Sequence, residues 1–189
     1  MFAWLAMRES QLDDSFGVAE MGGASIQVTF PCESCDASRK IRAMGHIVPV
    51  FSHSFFDRGQ DEAWKKSGSL SACERGAGSD NPDWQAADCS VGMAGFSEAA
   101  VDVSKSVGDQ QGLRWFLSGA FRYMKATDID QYCRLGVDSG FEPETSCFRA
   151  VYLQEVIRAL GLPPDAETTD VDWTLGAVVC TATQCLETK

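Results

Sequence analysis

The chain has 189 residues, 44 % of them hydrophobic and 23 % charged, with a formal net charge of −11. That length and composition suit one globular domain or two small ones. The acidic balance argues against a nucleic-acid backbone as partner, since such binding rests on clustered Lys and Arg, but not against a nucleotide, whose charge a metal and backbone N–H groups can meet.

No stretch approaches the roughly 18 consecutive apolar residues of a membrane-spanning helix, so no membrane contact is expected from this segment. The opening residues MFAWLAMRES have neither the basic start nor the small-residue cleavage site of a signal peptide. The sequence is therefore read as cytosolic, or as a piece of a longer protein whose address lies elsewhere.

Residues 2–12 are predicted to be the end of a helix, with Phe2, Leu5, Ala6 and Leu12 on one face. Phe16–Ala19 and Ser25–Phe30 are predicted strands, the second alternating with Ile26, Val28 and Phe30 on one side. Gly22-Gly23 between them makes a hairpin the natural connection. Residues 41–53 read as another strand region ending near His53, with a short helix at about 57–67. Residues 67–92 are rich in Gly, Ser, Asp and Cys and read as a loop. Proximity suggests that Cys73 and Cys89 close it, which contributes roughly 3 kcal/mol in the chain-entropy account. Residues 112–127 start strand-like and become helical, and 128–138 read as an acidic helix. Residues 146–160 form the clearest amphipathic helix, with Phe148, Val151, Tyr152 and Val156 on one face. Gly161 suits the position just past its end, and Pro163-Pro164 forbid continuation. VDWTLGAVV, residues 171–179, is predicted to begin as a strand and end at a glycine-containing turn or helix. No repeat or clear linker divides the chain.

The eight cysteines are an even count, which suggests disulfides and an oxidising compartment. The rival reading is zinc: Cys32-Glu-Ser-Cys35 is a C-x-x-C, but no second C-x-x-C or His pair follows at zinc-finger spacing. Cys32 and Cys35 pair with each other or with distant partners, and proximity suggests Cys180 with Cys185. The only asparagine, Asn81, precedes a proline, so no N-glycosylation acceptor is present.

The stretch FGVAEMGGASIQVTF, residues 16–30, raises the chemical question. Glycines at a tight turn let a backbone approach a ligand without a Cβ in the way, and successive N–H groups there can hold an anion. Ser25 adds a hydroxyl and Gln27 an amide on the same side of the strand. Glu20 offers carboxylate oxygens to a hydrated Mg²⁺ or Ca²⁺. The plain alternative is an ordinary hairpin. It is neither a Walker loop nor a G-x-G-x-x-G.

EMGGASIQVTF resembles the phosphate-binding loop of the apyrase family, the ecto-nucleoside triphosphate diphosphohydrolases, whose pattern is close to Asp-x-Gly-Gly-Ala-Ser-x-Gln-x-x-Phe. VFSHSFFDRGQDEA, residues 50–63, is similar to the family's Tyr-Ser/Thr-His-Ser-Phe-Leu-x-x-Gly segment. SCFRAVYLQEVI resembles its Cys-Phe-x-x-x-Tyr-Ile helix, and VDWTLGAVV its last motif. All four occur in the family's order across nearly the whole chain.

The resemblance implies an α/β, actin-like fold of two ribonuclease-H-like lobes with nucleotide and metal in the cleft between them. Residues 1–189 would be the C-terminal lobe, a mixed sheet flanked by helices with disulfide-stapled loops, and residues 1–12 the tail of the interlobe segment. It implies hydrolysis of nucleoside tri- and diphosphates with Mg²⁺ or Ca²⁺, in an extracellular or secretory-lumen setting. By the matched positions, Ser25 helps position the attacking water, and Gln27 helps order the metal's water shell. Backbone groups of Gly22, Gly23, Ala24 and Ser25 meet phosphate. Glu20 stands where the family has aspartate, one methylene longer. Phe121, Arg122 and Tyr123 are the nucleoside-side candidates, with core packing as the alternative for each. Cys133 and Cys147 match positions expected to be paired. His53 and Trp173 are read as structural.

The family's first phosphate loop does not occur here, and by this alignment its catalytic glutamate falls two or three residues before Met1. Residues 1–189 alone are therefore expected to show no hydrolysis and at best weak nucleotide binding, the complementary lobe being the missing partner. The alternatives are an inactive nucleotide-binding module and a secreted interaction domain.

Overall fold

The computed structural model describes residues 1–11, 15–36, 38–43, 45–67, 71–74, 76–79, 81–90, 96–110, 112–123, 129–135 and 143–186. Its core is a six-stranded mixed sheet. The strands are β1 (Phe16–Met21), β2 (Ser25–Pro31), β3 (Ser38–Ala43), β4 (His46–Phe56), β5 (Arg114–Gly119) and β6 (Glu167–Thr168), in the order β3-β4-β2-β1-β5-β6. β1 to β4 pair antiparallel, whereas β5 joins β1 in parallel and β6 joins β5 in parallel. The fold is thus α/β, as predicted.

Period-2 alternation gives the sheet two apolar faces. On one, Phe16, Val18, Ile41, Val50 and Phe116 pack under α1 (Phe2–Gln11) and α7 (Trp173–Thr183). Trp4 is fully buried there, and its indole N–H donates to the Phe16 carbonyl at 3.0 Å, so the ring is buried without leaving a polar group unmet. On the other face, Ile26, Val28, Phe30 and Leu117 meet α4 (Phe96–Gly108) and α6 (Ser146–Ala159). Three short helices, α2 (Gln60–Ser67), α3 (Ala86–Ser90) and α5 (Ile129–Cys133), are also described, with 3₁₀ turns at Ser71–Cys73, Ala120–Tyr123 and Pro143–Thr145.

α6 ends as its glycine suggested. Gly161 has φ +68, its N–H donates to the Arg158 carbonyl, and the Leu162 N–H donates to the Ile157 carbonyl. This is a Schellman closure, which meets two orphan carbonyls.

Four expectations need correction. VDWTLGAVV is helical from Trp173, not strand-like at its start. Asp172 caps α7 by accepting from the Thr174 N–H at 2.9 Å, and a Cβ on Gly176 would meet the Phe2 carbonyl oxygen at 1.8 Å. Capping and close helix contact outweigh the strand preference of its valines. The strand region 41–53 is two strands, β3 and β4, divided at Gly45 with φ +81. Among its described residues the loop 67–92 contains a 3₁₀ turn at Ser71–Cys73 as well as α3. The predicted helix 128–138 is helical over Ile129–Cys133, and residues 136–138 lie outside the described residues.

The eight cysteines form four disulfides: Cys32–Cys35, Cys73–Cys89, Cys133–Cys147 and Cys180–Cys185. The zinc reading of the C-x-x-C is thereby set aside. Four disulfides fit an extracellular or lumenal protein. Among the described residues no helix is long and apolar enough to cross a membrane.

Candidate active site

β1 and β2 meet in a tight hairpin, with the Gly22 N–H donating to the Ser25 carbonyl at 3.0 Å. The first turn of α2 sits behind this hairpin. Its Gln60 N–H donates to the Gly22 carbonyl at 3.1 Å, and the N–H groups of Asp61 and Glu62 donate to the Gly23 carbonyl at 2.9 and 3.2 Å. Helix N-termini leave such donors without intrahelical partners, and here the loop supplies the acceptors.

The direction of those carbonyls fixes the direction of the amides. In a trans peptide unit C=O and N–H point opposite ways. The Gly22 and Gly23 carbonyls point at α2, so the N–H groups of Gly23 and Ala24 point away from it. Among the described residues neither N–H has a partner. Gly22, Gly23, Ala24 and Ser25 all line an open cleft of about 750 Å³ on the far side from α2. Two adjacent amides placed this way can cradle an anion.

Why glycine is required follows from close contacts rather than from a left-handed backbone. A Cβ on Gly23 would lie 2.3 Å from the Asp61 Oδ2, and one on Gly59 would lie 2.3 Å from the Ser25 nitrogen. The buried Arg149 of α6 fixes Asp61 in turn, its Nη1 donating to Asp61 Oδ1 at 2.9 Å and its Nε to Thr145 Oγ1 at 2.7 Å. Cys147, two residues before Arg149, is bonded to Cys133.

Strand register sets the cleft floor. Glu20 on β1 pairs with Gln27 on β2 and with Ser118 on β5, and Gln27 pairs with Ser54 on β4. Directly paired residues share a face, so Ser54, Gln27, Glu20 and Ser118 make one polar row. It lies on the face that α1 and α7 cover farther along, beyond the N-terminal ends of those helices. The Gln27 Nε2 donates to the Ser25 Oγ at 2.6 Å. That leaves the Ser25 O–H free to donate onward.

Glu20 is only 9 % exposed. Burial holds its carboxyl above the ordinary 4.5, opposed by the Met1 amino group and reinforced by the Asp172 carboxylate. The sign of the effect on stability follows. The folded chain binds the proton more tightly than the unfolded chain, so this contribution is present in full below pH 4.5 and is lost as pH rises through the elevated value. Glu20→Gln is therefore expected to melt above wild type at neutral pH without divalent ions, with the difference shrinking toward pH 4.5 in thermal scans. A difference independent of pH would refute it.

The residues singled out in the loop, Glu20, Gly22, Gly23, Ala24, Ser25 and Gln27, all line this one cleft. Phe2 of α1, Arg39 of β3 and Trp173 of α7 join them. Phe56, 76 % exposed, and Trp173, 49 % exposed, stand at its rim. The nucleoside-side candidates lie elsewhere. Arg122 and Tyr123 are exposed and border a separate open hollow with Thr168–Asp170, whereas Phe121 is 2 % exposed and packs in the core. His53 also borders the cleft, but by register its side chain shares the opposite face with Val28, its ring centroid 4.5 Å from that of Phe55. Ser54, Ser118 and Gly59 were not singled out from sequence. Strand pairing brings the first two to the row, and no local pattern marks them.

Among the described residues no group of three or more His, Cys, Asp or Glu could hold a metal directly. The oxygen-only donors at Glu20 and Gln27 suit an ion that keeps most of its water, as Mg²⁺ does. The near-buried Glu20 carboxylate has no hydrogen-bond partner among the described residues, which fits such an occupant.

No protein-family model matches the chain. Part of it is similar to ectonucleoside triphosphate diphosphohydrolase 1 of Mus musculus, at 38 % identity over 71 residues, and to the protein of the same name from Rattus norvegicus, at 37 % over 71 residues. In both cases the match covers 34 % of this chain and 14 % of the relative, so it spans a small part of the length of these curated relatives.

Proposed function

We propose that residues 1–189 are one lobe of a two-lobed, actin-like nucleoside phosphohydrolase that releases inorganic phosphate from nucleoside tri- and diphosphates. The observation that carries this is the cradle: the Gly23 and Ala24 amides turned into a cleft beside the Ser25–Gln27 hydrogen bond. The partial similarity to two proteins named as triphosphate diphosphohydrolases supports the substrate class. A mixed sheet with β5 and β6 parallel to β1 supports the ribonuclease-H-like reading.

In this reading the two amides take the oxygens of the phosphoryl group under attack. There the protein's task is positioning and charge stabilisation. Ser25 donates its O–H to the attacking water, held at the right angle by Gln27. Glu20 and Gln27 would hold a hydrated Mg²⁺ or Ca²⁺, which when bound neutralises phosphate charge. The general base comes from outside residues 1–189. Glu20 is the carboxylate among the described cleft-lining residues, and it is assigned to the cation. The exposed Phe56 and Trp173 at the rim fit contact with a facing lobe or with the nucleoside.

The test is phosphate release from ATP and ADP with Ca²⁺ or Mg²⁺, in the two-lobed protein and in residues 1–189 alone. The two-lobed protein is expected to release phosphate, and the single lobe to bind nucleotide weakly and release none. Nucleotide binding without release from the two-lobed protein would favour an inactive binding module instead. Cation-dependent release from residues 1–189 alone would refute the single-lobe reading.

A further inference from the structure

Ser118 is fully buried, and its Oγ has no hydrogen-bond partner. A buried hydroxyl left unmet is destabilising, and native proteins rarely tolerate one without a reason. Its neighbour across the β1–β5 pairing is Glu20, whose carboxylate faces the Met1 amino group and has no hydrogen-bond partner among the described residues. Gly119 follows with φ +66, and a Cβ there would lie 3.1 Å from Glu20 Oε1 and 2.3 Å from the Met21 carbonyl oxygen. The backbone at this seam is therefore shaped to bring the Glu20 carboxylate against β5 beside Ser118. Two adjacent unmet groups, an O–H donor and an acid, match the outer shell of a cation site.

We propose that Ser118 is a positioning residue for a hydrated divalent cation, donating its O–H to the Glu20 carboxylate when the ion is bound. This rests on the reading of Glu20 as a cation-holding group. The hydroxyl adds nothing to the free protein and orients the carboxylate once the ion's water shell fixes it. Stability and cation affinity should then respond to its removal in opposite directions, which a merely structural serine would not show.

The experiment measures melting temperature and Ca²⁺ affinity of residues 1–189 by titration with Ca²⁺ against EDTA, for wild type, Ser118→Ala, Glu20→Gln and the double variant. In EDTA, Ser118→Ala is expected to melt at or above wild type. With Ca²⁺ it is expected to bind about tenfold more weakly, the low end for loss of an outer-shell partner. The double variant should bind no more weakly than Glu20→Gln alone, since Ser118 acts through Glu20. A lower melting temperature for Ser118→Ala in EDTA, or an unchanged Ca²⁺ affinity, overturns the proposal. If Glu20→Gln loses Ca²⁺ while Ser118→Ala does not, Ser118 has no role and the cation reading stands. If wild type shows no Ca²⁺ response, both fall, and phosphohydrolysis is judged separately on phosphate release.

Discussion

Replacing Ser25 by alanine in the two-lobed protein is expected to lower kcat by about 10²–10³, the usual loss when one preorganised donor to a reacting oxygen is removed. The geometry gives the reason. Gln27 already fills one lone pair of the Ser25 Oγ at 2.6 Å, which orients the hydroxyl and leaves its proton for another acceptor. Ser25 is half-buried and pairs with Phe56 through its backbone, which alanine preserves. Melting should shift by no more than about 0.5 kcal/mol equivalent. The fall should appear mainly in kcat, because in the proposed reading the cradle amides of Gly23 and Ala24 would still hold the ground-state phosphate. Turnover close to wild type, measured as phosphate release with ATP and Ca²⁺ in saturating excess over protein, would remove Ser25 from the chemistry.

A large effect on both fold and site is expected at Gly59. A methyl there would stand 2.3 Å from the Ser25 nitrogen and 2.5 Å from the carbonyl carbons of Ala24 and Gly23. All three are backbone atoms, and the loop cannot retreat, because the Gly22 and Gly23 carbonyls are bound to the N–H groups of Gln60, Asp61 and Glu62. Overpacking of this kind costs about 1–3 kcal/mol or more, and each kcal/mol lowers Tm by roughly 2–4 °C in a domain of this size. Gly59→Ala should also displace the two amides and abolish phosphate binding. Gly108→Ala is the control, since a Cβ there meets nothing within 4 Å. Equal melting temperatures for the two variants would show that the α2–loop contact is not close.

The elements that sequence periodicity reveals are those whose pattern is local. The β1–β2 hairpin alternates and turns on glycine, and α6 carries Phe148, Val151, Tyr152 and Val156 at helical spacing before its Gly161 stop. α4 carries the same kind of spacing at Phe96, Ala100, Val103 and Val107, yet the sequence reading leaves it unassigned. Its apolar positions are separated by serine, lysine and acids and follow a loop-rich stretch. At 171–179 the local signal points the wrong way, because the valines favour a strand while Asp172 and the Phe2 carbonyl, one adjacent and one remote, decide for a helix.

The site divides along the same line. Glu20, Ser25 and Gln27 sit on a legible motif. Ser118 reaches Glu20 only through a parallel pairing, and no short-range pattern anticipates which residue that register will deliver. Gly59 reads as a turn glycine. Its need for space depends on the backbone of residues more than thirty positions earlier.

The Arg149–Asp61 bridge has a kinetic consequence. It spans 88 positions, and Asp61 is what the Gly23 backbone rests against. Contacts of such separation form only after the loss of chain freedom needed to bring distant segments together has been overcome. The hairpin can form early by itself, but its amides acquire a fixed direction only once α6 has docked and α2 has closed behind the glycines. The direction of the two amides is therefore settled after the secondary structure is. A synthetic peptide of residues 16–30 would keep every residue of the motif and lack the cradle.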